Sequence, residues 1–106
     1  MFAQTVQFRI KPQFIEELTK VFDREIIPLL RKQKGFQDEI TFIVPSGMAA
    51  VGISLWNEKE NVDTYIREVY PTVIKSLANV FRGVPKVRTF EVSNSTFHKI
   101  PSRDSA

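Results

Sequence analysis

Every second residue from Phe2 to Ile10 falls on one of two sides, with Phe2, Gln4, Val6, Phe8 and Ile10 on the first and Ala3, Thr5, Gln7 and Arg9 on the second. A period of two predicts a strand. The period lengthens after Pro12, a residue suited to a first helical turn, and Ile15, Leu18, Phe22, Ile26, Leu29 and Leu30 recur at helical steps until Gly35. Pro28 lies inside this helix, and its ring clashes with the carbonyl one turn earlier, so a kink is expected near Arg24–Glu25. The basic run Arg31-Lys32-Gln33-Lys34 before Gly35 reads as a helix end, cations against the macrodipole and glycine as the left-handed cap.

Alternation returns from Phe36 to Val44, with Phe36, Ile40, Phe42 and Val44 expected to share a face with Asp38 and to oppose Gln37, Glu39, Thr41 and Ile43. Pro45-Ser46-Gly47 turns the chain into a third strand, Ala49 to Trp56, paired with the second as a hairpin. Its two faces, Ala49/Val51/Ile53/Leu55 and Ala50/Gly52/Ser54/Trp56, are both apolar or small, which argues that both are covered. Asn57 with Glu60 resembles a capping box, opening a helix from Glu58 with the stripe Val62, Tyr65, Ile66, Val69, Val73, Leu77, Val80 and Phe81. Pro71 predicts a kink or joint at Tyr70, Gly83 and Pro85 are expected to end the helix, and Lys86 to Ser93 reads as a fourth strand.

The order β-α-β-β-α-β in 106 residues predicts one α+β domain of ferredoxin-like type over residues 1–93, followed by a polar tail over 94–106. Helices cover one face of its four-stranded antiparallel sheet. The other face, if as apolar as the third strand suggests, needs a partner, and two sheets packed across a two-fold axis would make a barrel-like homodimer. The tail, with Pro101 and no apolar period, is expected to be loosely held or to reach over a neighbouring subunit.

Composition narrows the chemistry. With no cysteine, thiolate catalysis, disulfides and cysteine-bound metal are all excluded, which fits a reducing compartment. The first residues lack the pattern of a signal peptide and no apolar run approaches membrane-spanning length, so a cytoplasmic protein without membrane contact is expected. A net charge of +3, spread along the chain, argues against nucleic acid as a partner. One histidine, His98 in the tail, supports neither a metal site nor a Ser-His-Asp arrangement, and four glycines are too few for a phosphate-cradling loop.

The helix ending Pro28-Leu29-Leu30-Arg31-Lys32-Gln33-Lys34-Gly35-Phe36, a hairpin closing on Trp56, a following helix carrying Tyr65 and a last strand preceded by Gly83-Val84-Pro85 together resemble the antibiotic biosynthesis monooxygenase (ABM) family of the dimeric α+β barrel superfamily. The resemblance covers roughly residues 2–93 and implies a homodimer joined through the sheet. It also implies one of several activities: oxidation of polycyclic aromatic molecules by dioxygen without a cofactor, haem opening, or no known reaction. Haem degradation in that family uses a histidine on the second helix, and there is none between Glu58 and Arg82. Some of its oxygenases place an asparagine four positions before the tryptophan, where this chain has Gly52.

Two functions stay open. One is a cofactor-independent monooxygenase for a small aromatic or quinone-like molecule, which needs a shaped, dry pocket more than it needs nucleophiles. The other is a non-catalytic ligand-binding or stress-response barrel. In either, the expected ligand-binding residues are Trp56 as a stacking wall, Tyr65 and Tyr70 as hydrogen-bonding phenols, and Phe22, Phe42 and Phe81 as apolar lining. Only Trp56 comes from the family pattern, the others from periodicity. Asp38 and Glu39 would serve as bases if buried, but a rim position, solvated or paired with Arg88, is the expected one.

Overall fold

The computed structural model describes residues 1–100, so the part of the expected tail at 101–106 lies outside the described residues. Strands β1 (Phe2–Ile10), β2 (Phe36–Ile43), β3 (Ala49–Trp56) and β4 (Phe81–Glu91) form one sheet in the order β2-β3-β1-β4, with every neighbouring pair antiparallel. Helices α1 (Ile15–Val21), α2 (Ile27–Arg31), α3 (Lys59–Glu68) and α4 (Tyr70–Leu77) pack on one face, giving the ferredoxin-like α+β architecture. The core between the layers is built from the β1 side chains Phe8 and Ile10, Ala50 and Trp56 of β3, and the helical stripe Leu18, Phe22, Ile26, Leu30, Val62, Tyr65, Val73 and Leu77. Among the described residues no helix is long and apolar enough to cross a membrane.

Both prolines inside the helical patterns leave their mark, Pro28 where expected and Pro71 one residue before the expected Tyr70. Pro28 has no N–H to donate to the carbonyl of Arg24, and the chain absorbs the loss by widening into a π-helical turn, Phe22–Ile26, between α1 and α2. Before Pro71 the chain breaks at Val69 (φ −115°), the joint between α3 and α4. The capping box, however, sits one residue later than the sequence suggests. Glu58 is the N-cap, and its backbone N–H donates to Asn61 Oδ1 at 3.1 Å while Asn57 N–H is drawn away to Gly35 O at 2.8 Å. Gly35 has φ +81°, and a Cβ there would come within 2.1 Å of Asn61 Oδ1, so this crossing of the α2–β2 connection and the start of α3 requires glycine.

Two bulges shift residues away from their expected places. In β2, Phe36 pairs with Trp56 and Asp38 with Leu55, so Gln37 is extra and Phe36 changes sides. Phe36 therefore packs beneath the helices, its ring edge-on to Trp56 at 5.5 Å, while Asp38, Ile40 and Phe42 stay on the open face. In β4, which starts at Phe81 instead of Lys86, Arg82 pairs with Arg9 and Lys86 with Gln7. Gly83 (φ +72°), Val84 and Pro85 loop out between them, which an edge strand allows because it leaves one row of backbone groups unpaired. The glycine and proline thus shape a strand and do not end a helix. Phe81 looks like the last member of the helical stripe only because its spacing from Leu77 is one helical turn.

The face without helices is divided. Its β2–β3 half carries Ile40, Phe42, Val51, Ile53 and Leu55, whereas its β1–β4 half carries Thr5, Gln7, Arg9, Lys86 and Arg88, with Ala3 and Phe90 paired at one end. Phe42 is 52% exposed and Phe90 46%. Residues 94–100 follow β4 without helix or strand and bring His98 onto Asp38 of the opposite edge strand, where the two side chains hydrogen-bond.

Candidate functional site

Beneath the helices lies a cavity of about 40 Å³. Its floor is the central sheet, with Gln4, Val6 and Phe8 from β1, Glu39 from β2, and Gly52 and Ser54 from β3; its roof includes Phe22, Ile26 and Leu30 from the first helical layer and Tyr65, Tyr70, Val73 and Leu77 from the second. Three strands converge because β1 and β3 are the inner pair and β2 pairs with β3 in a register that sets Glu39 opposite Ser54 and Thr41 opposite Gly52. Gly52 leaves the floor open, since a Cβ there would lie 3.6 Å from Glu39 Oε2 and any longer side chain would fill the space.

The polar groups of the floor are ordered by one chain of hydrogen bonds. Trp56 Nε1–H donates to Ser54 Oγ at 2.9 Å, and the Ser54 hydroxyl donates to Gln4 Oε1 at 3.3 Å. The indole can only donate, so the serine proton is free to pass to the glutamine carbonyl, and the glutamine amide nitrogen is left over. Gln4 is 2% exposed and its Nε2 is a buried side-chain atom without a hydrogen-bond partner. An unpaired buried donor costs about 1–3 kcal/mol, a cost a structure tolerates chiefly where the group has work to do.

Three acids border the same space. Burial raises the Glu39 carboxyl above its ordinary value of 4.5, opposed by the hydrogen bond that Thr41 Oγ1 donates to it at 2.7 Å. Burial also raises the Tyr65 phenol, with the charges of Tyr70 and Glu39 adding to the effect, and burial alone raises Tyr70. The cavity therefore presents hydroxyl and amide donors beside a carboxyl that holds its proton more tightly than one in water.

The residues anticipated for a ligand divide into three groups. Phe22, Tyr65 and Tyr70 line the cavity together. Trp56, wholly buried, stands behind it: the ring lies between Phe36 and Tyr65, 4.8 Å from the latter, and its contribution to the site is to fix Tyr65 and the serine–glutamine chain. Phe42 is on the opposite face of the sheet, and Phe81 packs edge-on against Phe8 at 5.7 Å from the edge strand. Asp38 meets His98 instead of Arg88, whose guanidinium lies over the Phe90 ring.

Gln4 and Ser54 were not singled out by the sequence, although one signal was present. Gln4 is the polar residue on the otherwise apolar side of β1, and Ser54 is its counterpart on the helix-facing side of β3, and the strand register makes them direct partners.

Two further hollows adjoin the sheet. A groove of about 170 Å³ beside α1 is lined by Leu18, Thr19, Phe22, Asp23, Ile27, Glu39, Thr41 and Ile43, sharing Phe22 and Glu39 with the inner cavity. On the open face, Ile40, Phe42, Ile53, Leu55, Phe97 and His98 bound a wide depression of about 610 Å³. Among the described residues no group of three or more His, Cys, Asp or Glu is placed to hold a metal ion.

No protein-family model matches the chain, and no curated protein sequence does. Solved structures do match in fold. A monooxygenase from the gene ActVA-Orf6 of Streptomyces coelicolor, solved in complex with the ligand nanaomycin D, superposes with a TM-score of 0.75, with 17% identity over 95% of this chain and 92% of that one. SnoaB, a cofactor-independent oxygenase from Streptomyces nogalater, gives 0.71 with 14% identity over 90% and 95% of the two chains. NE2512, a protein of unknown function from Nitrosomonas europaea, gives 0.71 with 14% identity over 95% and 94%. The chain thus has an ABM-like fold, one shared by monooxygenases and by proteins of unknown function alike.

Proposed function

We propose that this protein is a cofactor-independent monooxygenase of ABM type that takes a small hydroxyaromatic or quinone-like molecule into the cavity beneath its helices. The observation that carries the reading is the unpartnered Gln4 Nε2, a buried donor on a residue that lines the cavity. In this reading the Glu39 carboxylate accepts the proton of a bound phenol, and its raised affinity for protons brings it nearer to a phenol's own. The phenolate oxygen is held by Gln4 Nε2–H and by the tyrosine hydroxyls. An electron-rich ring so ionised reduces dioxygen directly: a ring C–H becomes a carbonyl, one oxygen atom enters the product and the other leaves as water. The fold shared with a cofactor-independent oxygenase supports this choice among reaction classes.

The test is oxygen uptake with a panel of hydroxynaphthalenes and anthrones, together with incorporation of label from isotopic dioxygen. Uptake that falls by about 10²-fold or more in Glu39→Gln, the usual scale for loss of a general base, is the expected result. Uptake no faster than background, and equal in wild type and Glu39→Gln, overturns the reading. A second reading is a non-catalytic ligand-binding or stress-response barrel; the cavity of about 40 Å³ holds a few water molecules, where a pocket for an aromatic ligand runs to roughly 300 Å³, so either reading requires the cavity to widen around its ligand. Saturable binding without uptake selects the second.

Both readings include a homodimer formed through the open face of the sheet. The apolar half of that face, with Ile40 and Phe42 at its edge, supports a second copy as the partner. Sedimentation at micromolar concentration showing only a lone protomer tells against it.

A further inference from the structure

The inner cavity and the groove beside α1 meet at two residues, Phe22 and Glu39, and their polar linings are opposite in kind. The inner space offers donors, the free Gln4 amide and the phenols of Tyr65 and Tyr70. The groove offers acceptors: the carboxylates of Asp23 and Glu39, and the lone pairs of Thr19 and Thr41, whose own protons are already given to Ile15 O at 3.3 Å and Glu39 Oε2 at 2.7 Å. Neither lysine nor arginine lines it. Phe22, which lines both spaces, is the first residue of the π turn that Pro28 imposes: its N–H donates to Leu18 O as in a regular helix, while its carbonyl accepts from Ile27 N–H, one residue further on than in an α-helix.

We infer that the cavity and the groove are two halves of one ligand site divided by the Phe22 ring, and that its ligand is a hydroxyaromatic or quinone whose ring oxygen faces Gln4 and whose outer substituent carries hydrogen-bond donors, a protonated amine above all. This rests on the reading of the inner cavity as a ligand site and adds to it the polarity and shape of the molecule. Phe22 turning aside joins the two spaces, of about 40 and about 170 Å³, into one slot that the ring and its substituent would widen. An anionic substituent meets the Asp23 and Glu39 carboxylates and no compensating cation.

The experiment follows Trp56 fluorescence under nitrogen, so that binding is read without turnover. The indole is wholly buried against Tyr65, which removes collisional quenching from bulk solvent as a source of signal. The probes are one hydroxynaphthoquinone ring bearing an aminoethyl or a carboxyethyl group, and the same ring unsubstituted. Expected are saturable curves with the aminoethyl probe about tenfold tighter than the carboxyethyl probe, the scale of partly exposed charge pairs. Asp23→Asn should narrow that ratio to about threefold or less, leaving the affinity for the unsubstituted ring unchanged. Phe22→Ala should speed association of both substituted probes and keep their order. Equal affinities for the two substituted probes, or a preference that Asp23→Asn does not reduce, or association unaltered by Phe22→Ala, overturns the inference while the inner cavity stands as a site for the ring. Failure of all three probes to bind wild type and Phe22→Ala alike overturns both readings together.

Discussion

The two faces of this sheet are made from alternate residues of the same strands, yet over β2 and β3 they depart from the usual distribution of polarity. On β3 the residues under the helices run Ala50, Gly52, Ser54, Trp56, while those facing away are Val51, Ile53 and Leu55. On β2 the covered side has Glu39 and Thr41, and the uncovered side Ile40 and Phe42. Beside the apolar core of Phe8, Ile10, Ala50 and Trp56, the covered face holds an amide, a carboxyl and hydroxyls around a small void, and the β2–β3 half of the uncovered face carries large aliphatic and aromatic groups. The difference teaches where each kind of work is done. Polar groups tolerated beneath helices are the place to test for a site, and apolar groups left in the open are the place to test for a contact with another molecule.

The comparison predicts its largest asymmetry for two aromatic residues of similar bulk. Trp56→Ala should cost about 3–5 kcal/mol in denaturant unfolding, because it leaves a cavity at the packing centre and strips Ser54 of the donor that orders it. That is a large part of the roughly 5–15 kcal/mol available to a domain of this size. Phe42→Ala on the open face should change the unfolding of the isolated protomer by only about 0.5 kcal/mol. Equal costs at the two positions would erase the distinction between the faces. The companion change Phe42→Asp tests what the open face is for. It should weaken self-association about a hundredfold, read by sedimentation equilibrium, with the circular dichroism of the protomer unaltered.

Within the covered face, Gln4 separates stability from binding. Gln4→Leu removes the unsatisfied nitrogen but also the acceptor of the Ser54 proton, so the two effects oppose and unfolding free energy should move by no more than about 1 kcal/mol. Affinity for a hydroxynaphthoquinone should fall about tenfold, the worth of one hydrogen bond made in a dry site. A loss of several kcal/mol in stability with binding intact would make Gln4 a structural residue and empty the cavity of its purpose.

How much of this could be read from the sequence follows from which rules are local. The alternation of β1 and β3 and the Pro28 distortion depend on neighbours along the chain, and they stand where the pattern places them, while the Pro71 joint falls one residue early, at Val69. Bulges depend on a partner strand. Nothing within Phe36-Gln37-Asp38 marks Gln37 as the extra residue, and so Phe36 lies on the side opposite to its apparent period. The same holds for Phe81, whose helical spacing from Leu77 conceals its pairing with Ile10. The aromatic residues announced a pocket, but its polar centre came from Gln4, Glu39 and Ser54, brought together by strand register across long sequence separations. Register is a tertiary property, and periodicity is silent on it.

The smallest expected effect is also the most specific to the covered face. Glu39 holds its proton more tightly in the folded chain than its ordinary value of 4.5, because burial penalises the carboxylate more than the Thr41 hydrogen bond favours it. The folded state then binds more protons than the unfolded state between those two values, so stability from this group is fully present at lower pH and declines as pH rises through the folded value. Glu39→Gln, which cannot ionise, should lack this decline. Its unfolding midpoint should track wild type at the acid end and rise above it as pH increases towards neutrality, measured by thermal unfolding across that range. Asp38 on the open face gives the control, since Asp38→Asn removes a carboxylate from the same strand without touching the covered cavity. A midpoint gain in Glu39→Gln that is independent of pH would mean that the carboxyl is solvated like one at the rim, and that the covered face does not hold it as a base.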